Sequence, residues 1–442
     1  MTVFSVARTT PEQAGFRPEV VRALDEHLQG LVGRQRLQAA SYLLARNGQV
    51  FAMNAFGKRT FREEDDTPMR TDTIRRIASV TKLFTAVAVF QLVEQGRLRL
   101  RQPAAEWLEE MDHPMYRNIR LWHLLTHTSG VRADPGYFSE PYPYSFREIR
   151  FAFEPRPEAS AEGTGTEPGD GTSETADGKD SVDGSGTADG AEPAGRDAGA
   201  TGGASGTGDG NRAAELEKRR KSAWIRALLA GKPQCEPGRT WNYSTGGYML
   251  LGEIIARASG MPYEAYVMRH IVEPLGMTRT FFRVPEQLHG EVCVTSDWEE
   301  QWLAWHDRTY DPPLAGGGMY STLEDLFRFG QMLLQNGRWG SERILSRKSV
   351  ERMTRDHFAG RNLFGYAWGG RRSNMSYGMG AEVTGENQWL SPGSFGHEGA
   401  GRCKLLIDPR HQAVVVFFVP TAIDWVPESI INTSHLIAAG WV

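Results

Sequence analysis

The stretch RIASVTKLFTAVAVFQLVEQG, Arg76 to Gly96, places Ser79 and Lys82 three residues apart. On a helix that spacing puts both side chains on one face, one turn apart. Serine is a weak nucleophile until a base takes its proton. A lysine amine serves as that base when burial and neighbouring cations bring its pKa toward neutrality. The Ser79 N–H, at a helix start, faces any anion that forms there. The same two residues also have a purely structural reading, an N-cap serine followed by a lysine that snorkels to solvent. Position favours the chemistry. Leu83, Phe84, Ala86, Val87, Val89, Phe90, Leu92 and Val93 wrap most of the helix, which predicts a buried element ending at Gly96. A lysine at the mouth of a buried helix is costly unless it has partners or a task.

Two further segments hold candidates. In PGRTWNYSTGGYMLLG (Pro237–Gly252), turn residues lead through Tyr243 and Thr245 into a helical run. Tyr243 is either a packing residue or a phenol that shuttles a proton beside a protonated lysine. In SFGHEGAGRCKLLID, which starts at Ser394, Gly396, Gly399 and Gly401 crowd the entrance to a predicted strand, a pattern that often marks close backbone approach by a ligand. His397 reads as a proton carrier, an anion contact or a turn residue. The N–H near Ala400 could join that of Ser79 as an oxyanion hole.

The elements that must position these residues come from both ends of the chain. Ser41–Gly57 reads as a hairpin turning at Asn47-Gly48. Arg402–Pro420 reads as a second, turning at Asp408-Pro409, with Val414–Val419 apolar on both faces as in a central covered strand. The C-terminal PESIINTSHLIAAGWV looks helical and could cover that sheet. Helical patterns fill the middle: Ser79–Gln95, Ala213–Leu229, Tyr248–Ala258 and Thr322–Gln335. The predicted class is α/β of the α+β type, an antiparallel sheet flanked by helices with a helical region inserted. The boundaries are 1–75 with 290–442 for the sheet domain and 76–289 for the helical region.

Within that region, 158–210 is an acidic low-complexity insert whose single large apolar residue is Val182, so it is expected to be disordered. It carries 12 acidic and 2 basic residues, a net of −10, against −4 for all 442 residues, which leaves the rest of the chain at +6. It reads as a solvated loop or as a regulatory arm. The overall balance gives no reason to expect nucleic acid as a partner. Cys235, Cys293 and Cys403 lie far apart without metal-ligand spacing, so neither a disulfide framework nor a metal is expected. Neither a signal-peptide pattern nor a membrane-length apolar run is seen, so the expectation is a cytoplasmic protein with no membrane partner. Gly-x-Ser-x-Gly, His-Glu-x-x-His, P-loop and dinucleotide fingerprints are absent, and no cofactor is expected.

In this order the segments resemble the serine β-lactamase and penicillin-binding superfamily. The nearest branch is the class C β-lactamase-like one, with its family VIII carboxylesterases and D-aminopeptidases. RIASVTKLFTA resembles the nucleophile helix, LWHLLTHTSGV (Leu121–Val131) the segment after it, and WNYSTGGYMLLG the tyrosine motif. LAGGGMYSTLEDLFRFGQMLL (Leu314–Leu334) resembles the Gly-rich turn and helix, LFGYAWGG (Leu363–Gly370) a late strand, and GHEGAG the third motif. The resemblance implies the β-lactamase/transpeptidase-like fold, with Ser79 as the nucleophile that forms an acyl-enzyme. Lys82 and Tyr243 become the proton-transfer pair, Ser79 and Ala400 the oxyanion donors, and His397, Gly399 and Thr245 substrate-binding residues. His127 is taken as structural.

Two departures stand out. Thr245 replaces the asparagine of Tyr-x-Asn, and a hydroxyl offers less to a substrate amide. His397 replaces a lysine that would hold a β-lactam carboxylate, and histidine is largely neutral at pH 7. Both move the expectation toward a hydrolase of small acyl esters. A penicillin-binding protein, D-amino-acid peptidase or amidase is the alternative among enzymes, and a non-catalytic binding protein the alternative outside them. The oligomeric state is left open.

Overall fold

The computed structural model describes residues 6–134, 223–230, 233–304, 312–361, 363–367, 370–372, 376–385, 389–422 and 426–442. The chain divides into two units, Met1–Phe153 with Arg220–Val442 and, separately, Glu154–Arg219; every described residue belongs to the first. The acidic insert over 158–210 lies outside the described residues, as does 213–222 of the predicted helix at Ala213–Leu229, whose remainder is helical over 223–228.

Both predicted hairpins form. β1 (Ala39–Arg46) and β2 (Gln49–Gly57) turn at Asn47 and Gly48, which take φ of 51° and 78°. This left-handed pair is what an Asn-Gly hairpin turn demands. Near the other end, β3 (Glu382–Val383), β4 (Phe395–Gly399), β5 (Cys403–Asp408) and β6 (Ala413–Phe418) complete a six-stranded sheet in the order β3-β4-β5-β6-β1-β2. Every pairing in it is antiparallel, with Leu43 opposite Val416 and Val416 opposite Leu405. The chain ends therefore meet at the sheet centre, where every residue of β6 is buried.

The two faces of β6 feed two cores. Val414, Val416 and Phe418 join the main core, while Val415 and Phe417 join a second one. The second is covered by Val20, Leu24, Leu28 and Leu31 of α1 (Pro18–Gly33) and by Ile430 and Ile437 of the C-terminal helical stretch, as the C-terminal pattern predicts. On the main face lie α2 (Thr81–Glu94), α3 (Thr245–Ser259) and α4 (Leu323–Leu334). The main core draws on sheet and helices alike, so the sheet portion and the inserted helical portion share one interior.

α2 is buried without a break from Thr81 to Leu92. Phe84 stacks on Phe329 of α4 with ring centroids 3.8 Å apart. α4 in turn comes so close to the sheet that a Cβ at Gly330 would sit 2.8 Å from Val414 Cγ1. Burying each large side chain of α2 contributes about 2 kcal/mol. Its first turn is thus anchored by a helix that cannot shift without opening the core. Gly96, at φ 74°, terminates it. Among the described residues no helix is long and apolar enough to cross a membrane.

Candidate active site

Ser79 does not start an α-helix. It sits in a 3-10 turn, Ala78–Val80, between the short strand Ile74–Arg76 and α2, and no side chain caps either element. Ala78 is held at φ 41°, an unfavourable conformation for alanine. The turn is clamped from outside: Ile77 N–H donates to Met319 O (2.9 Å) and Met319 N–H donates to Thr81 Oγ1 (3.2 Å). The reading of Ser79 as an N-cap is therefore set aside.

The snorkelling reading of Lys82 fails as well, because the side chain is 0% exposed. Its Nζ lies 3.1 Å from Ser79 Oγ, 3.2 Å from Thr245 Oγ1 and 2.6 Å from Gly316 O. It also rests 4.7 Å from the centre of the Tyr243 ring. Burial pulls the Lys82 ammonium down to about 8, against the opposing fields of Asp134 and Glu382. So the three residues proposed as catalytic from sequence, Ser79, Lys82 and Tyr243, converge.

Tyr243 is brought in from the strand Trp241–Asn242, which pairs in parallel with Gly365–Ala367 in the segment read as a late strand. Ser244 then caps α3 by accepting from Gly247 N–H (3.0 Å). His127, at φ 56°, holds this junction: its Nδ1 accepts from Ser244 N–H at 3.0 Å, and its ring lies 4.3 Å from that of Tyr243. Burial, then Lys82 and His397, drive its pKa well below the usual histidine value, so it stays neutral. These contacts tie His127 to the junction that carries Tyr243.

The glycines of the third motif are explained differently from the sequence expectation. A Cβ at Gly399 would run into Ile77 O, one at Gly401 into Arg76 O, and one at Gly396 into Leu405 O. The backbone that approaches closely is the chain's own, not a ligand's. β4 ends against the turn that carries Ser79, and this contact places exposed Ala400 just beyond it. Arg75 braces the same junction. Its Nε donates to Gly401 O (3.1 Å), and its Nη1 donates to Cys293 O (2.9 Å) and to the Glu299 carboxylate.

His397 and Thr245 also depart from their expected substrate-facing positions. His397 is 1% exposed, with Nδ1 2.6 Å from Glu398 O and Nε2 3.2 Å from Tyr377 Oη. Because a carbonyl can only accept, Nδ1 carries the hydrogen and Nε2 accepts from Tyr377. Both ring nitrogens are thus committed to the protein. Burial, with Lys82 adding to it, lowers the imidazole to about 3, so the ring itself is uncharged. Glu382 Oε1 lies 3.5 Å from Nδ1 instead. The Thr245 hydroxyl is likewise engaged, between Lys82 and Asp134 Oδ2, the latter at 2.6 Å.

Sequence reasoning missed Asp134, Glu382, Tyr377 and Glu299. Asp134 closely follows the Thr-His-Thr-Ser-Gly segment, and that proximity was the one signal that could have drawn attention to it. Its Oδ1 accepts Thr245 N–H at 2.8 Å, and burial raises its carboxyl above the ordinary range despite the pull of Lys82. All three cysteines are free thiols. Among the described residues, no group of three or more His, Cys, Asp or Glu is placed to hold a metal ion.

A family model described as Beta-lactamase matches residues 24–424. Esterase EstB of Burkholderia gladioli is 25% identical over 334 residues, 69% of this chain and 68% of its own length. Penicillin-binding protein 4* of Bacillus subtilis is 26% identical over 330 residues, 70% of this chain and 56% of its own. Among solved structures, EstCE1, a hydrolase with promiscuous acyltransferase activity, superposes with a TM-score of 0.64 at 18% identity, covering 97% of this chain and 98% of its own.

Proposed function

This chain belongs to the Beta-lactamase family, and on that premise we propose that it is a serine hydrolase that cleaves small acyl esters through an acyl-enzyme on Ser79. The observation that carries the reading is a fully buried Lys82 with its Nζ 3.1 Å from the Ser79 hydroxyl. In acylation, Ser79 Oγ attacks the ester carbonyl while Lys82 takes its proton. The N–H groups of Ser79 and Ala400 receive the oxyanion. Tyr243, against the Lys82 ammonium, passes a proton to the departing alkoxide. Water then repeats the sequence on the acyl-enzyme and releases the acid.

The preference for neutral esters rests on charge. A β-lactam, or a peptide ending in a free carboxylate, needs a cation at the third motif. Here His397 is neutral and turned into the protein, and Glu382 lies beside it. An anionic substrate would find a neutral imidazole there, beside a carboxyl whose ionisation burial opposes and Lys404 favours, rather than a cation of the third motif itself. Penicillin-binding or D-amino-acid peptidase activity remains the competing reading, supported by the similarity to penicillin-binding protein 4*.

The test is intact-protein mass spectrometry after incubation with p-nitrophenyl butyrate and, separately, with a fluorescent penicillin, on wild type and Ser79→Ala. Rapid ester turnover with little penicillin adduct, both lost in the variant, is the expected result. A persistent penicillin adduct on Ser79 with poor ester turnover would move the assignment to the penicillin-binding reading. Full activity of Ser79→Ala would overturn the nucleophile.

A further inference from the structure

We infer that Asp134 is a positioning residue that aims the lone pair of Lys82 at Ser79 by holding the hydroxyl hydrogen of Thr245; this rests on the Ser79 acylation reading above. Three oxygens surround Lys82 Nζ: Ser79 Oγ, Thr245 Oγ1 and Gly316 O. An ammonium has three N–H donors and satisfies all three. A neutral amine has two N–H groups and one lone pair, and only a lone pair facing Ser79 makes it a base.

Gly316 O carries no hydrogen, so it must take one N–H. The choice then lies between two hydroxyls, each able to donate or accept. Thr245 has a single hydroxyl hydrogen. The Asp134 carboxylate grips Thr245 at two points, with Oδ1 on the backbone N–H (2.8 Å) and Oδ2 on Oγ1 (2.6 Å). A carboxylate held this way accepts only, so the Thr245 hydrogen goes to it. Thr245 Oγ1 then presents only lone pairs to Lys82 and takes the second N–H. Ser79 is left as the one group that donates to the amine.

The rest of Thr245 is fixed as well. A Cβ at Gly316 would collide with Thr245 Cγ2, so the threonine methyl fills the space that this glycine leaves. An asparagine at position 245 would present a donor end and an acceptor end of fixed sense. A hydroxyl has no fixed sense and needs a partner to give it one. Asp134 is that partner. Without it the Thr245 hydroxyl can donate to the amine, and Ser79 then receives an N–H instead of giving up its own proton. The proton balance of acylation is unchanged: the Ser79 hydrogen moves to Lys82 as the Oγ–carbonyl carbon bond forms, while Thr245 keeps its hydrogen and Asp134 stays a carboxylate.

The experiment is single-turnover acylation by p-nitrophenyl butyrate, followed by stopped flow across pH, for wild type, Asp134→Asn, Thr245→Val, Thr245→Ser and the Asp134→Asn/Thr245→Val double variant. Asp134→Asn should slow acylation about 10- to 100-fold with little change in ester affinity, within the range that a general base supplies. The double variant should be no slower than Thr245→Val alone, because Asp134 acts through that hydroxyl. Thr245→Ser should retain most of the rate.

Among the described residues, the charged and titratable groups facing Lys82 are the Asp134 and Glu382 carboxyls, with His127, His397, Tyr243 and Tyr248. Removing Asp134 should also move the acid limb of the rate profile to lower pH through the loss of its charge alone, so the double variant and Thr245→Ser, not this shift, separate positioning from a merely structural role. An Asp134→Asn rate within twofold of wild type, or losses that multiply in the double variant, would overturn the inference. If Asp134→Asn does not fold, the contrast between Thr245→Ser and Thr245→Val decides alone: equal rates overturn the inference. If wild-type Ser79 takes no acyl group, the parent reading fails, and the mass spectrum identifies that failure separately.

Discussion

Replacing Glu299 with glutamine should cost more stability than any surface ion-pair change, and the cost should vanish in acid. Glu299 is 6% exposed and Arg75 2% exposed. The glutamate accepts from Arg75 Nη1, Thr295 N–H (2.9 Å) and Thr295 Oγ1 (3.0 Å). Burial, the largest single effect, opposes ionisation, but Arg75, Arg76 and the Thr295 N–H together outweigh it and hold the carboxyl at about 2 against an ordinary 4.5. A depressed folded-state pKa means that the unfolded chain takes up the proton first. The stabilisation is then complete above pH 4.5 and is lost as pH falls toward 2. The shift corresponds to about 3 kcal/mol, in line with the cost of breaking a buried pair by removing one partner.

The assay is equilibrium urea denaturation of wild type and Glu299→Gln at pH 7 and at steps down to pH 2.5. The gap should be about 3 kcal/mol at pH 7 and close steadily below pH 4.5. Because Arg75 also holds Gly401 O, turnover should fall in the folded variant as the segment after Ala400 loosens. A gap under 1 kcal/mol at pH 7, or one that does not change with pH, would refute the reasoning.

Four further outcomes follow from the same geometry. Ester acylation should rise with pH through about 8 as Lys82 loses its proton. The lysine's lowered pKa also makes the fold gain stability between about pH 8 and 10.5, so Lys82→Met should raise the melting temperature at pH 7 while abolishing turnover; a melting point at or below wild type would contradict this. Gly399→Ala should lower kcat far more than substrate affinity, because its Cβ would push Ile77 O and with it the Ser79 turn; unchanged kinetics in a folded variant would show that the turn is not set by this contact. Tyr377→Phe removes the donor to His397 Nε2 and should cost about 1–3 kcal/mol in chemical denaturation, and an isoenergetic variant would mean that the ring finds another donor.

Local pattern carries a long way in this chain. The Asn47-Gly48 turn, the covered strand at Val414–Val419, the buried run after Lys82 and the helix stop at Gly96 all follow from the conformational needs of residues a few positions apart. The convergence of Ser79, Lys82 and Tyr243 was legible through the resemblance of whole segments, and the Ser79–Lys82 offset is a one-turn spacing. What the sequence left undetermined is polar pairing across distance. Asp134 meets Thr245 111 positions away, and Arg75 meets Glu299 224 positions away.

Hydrophobic residues need only a shared interior, so periodicity reveals their side of an element. A polar side chain acquires its role from one particular partner, and only the folded chain chooses that partner. For this reason His397, which the third motif presents as a group for substrate, becomes a neutral buried ring between Tyr377 and Glu398. Thr245, a weak substitute for asparagine by sequence, becomes the link between Asp134 and Lys82. The glycines around Ala400 show the same division. Their identity announces a close backbone approach, and tertiary packing decides that the approaching backbone is that of Arg76 and Ile77, which lead into the Ser79 turn.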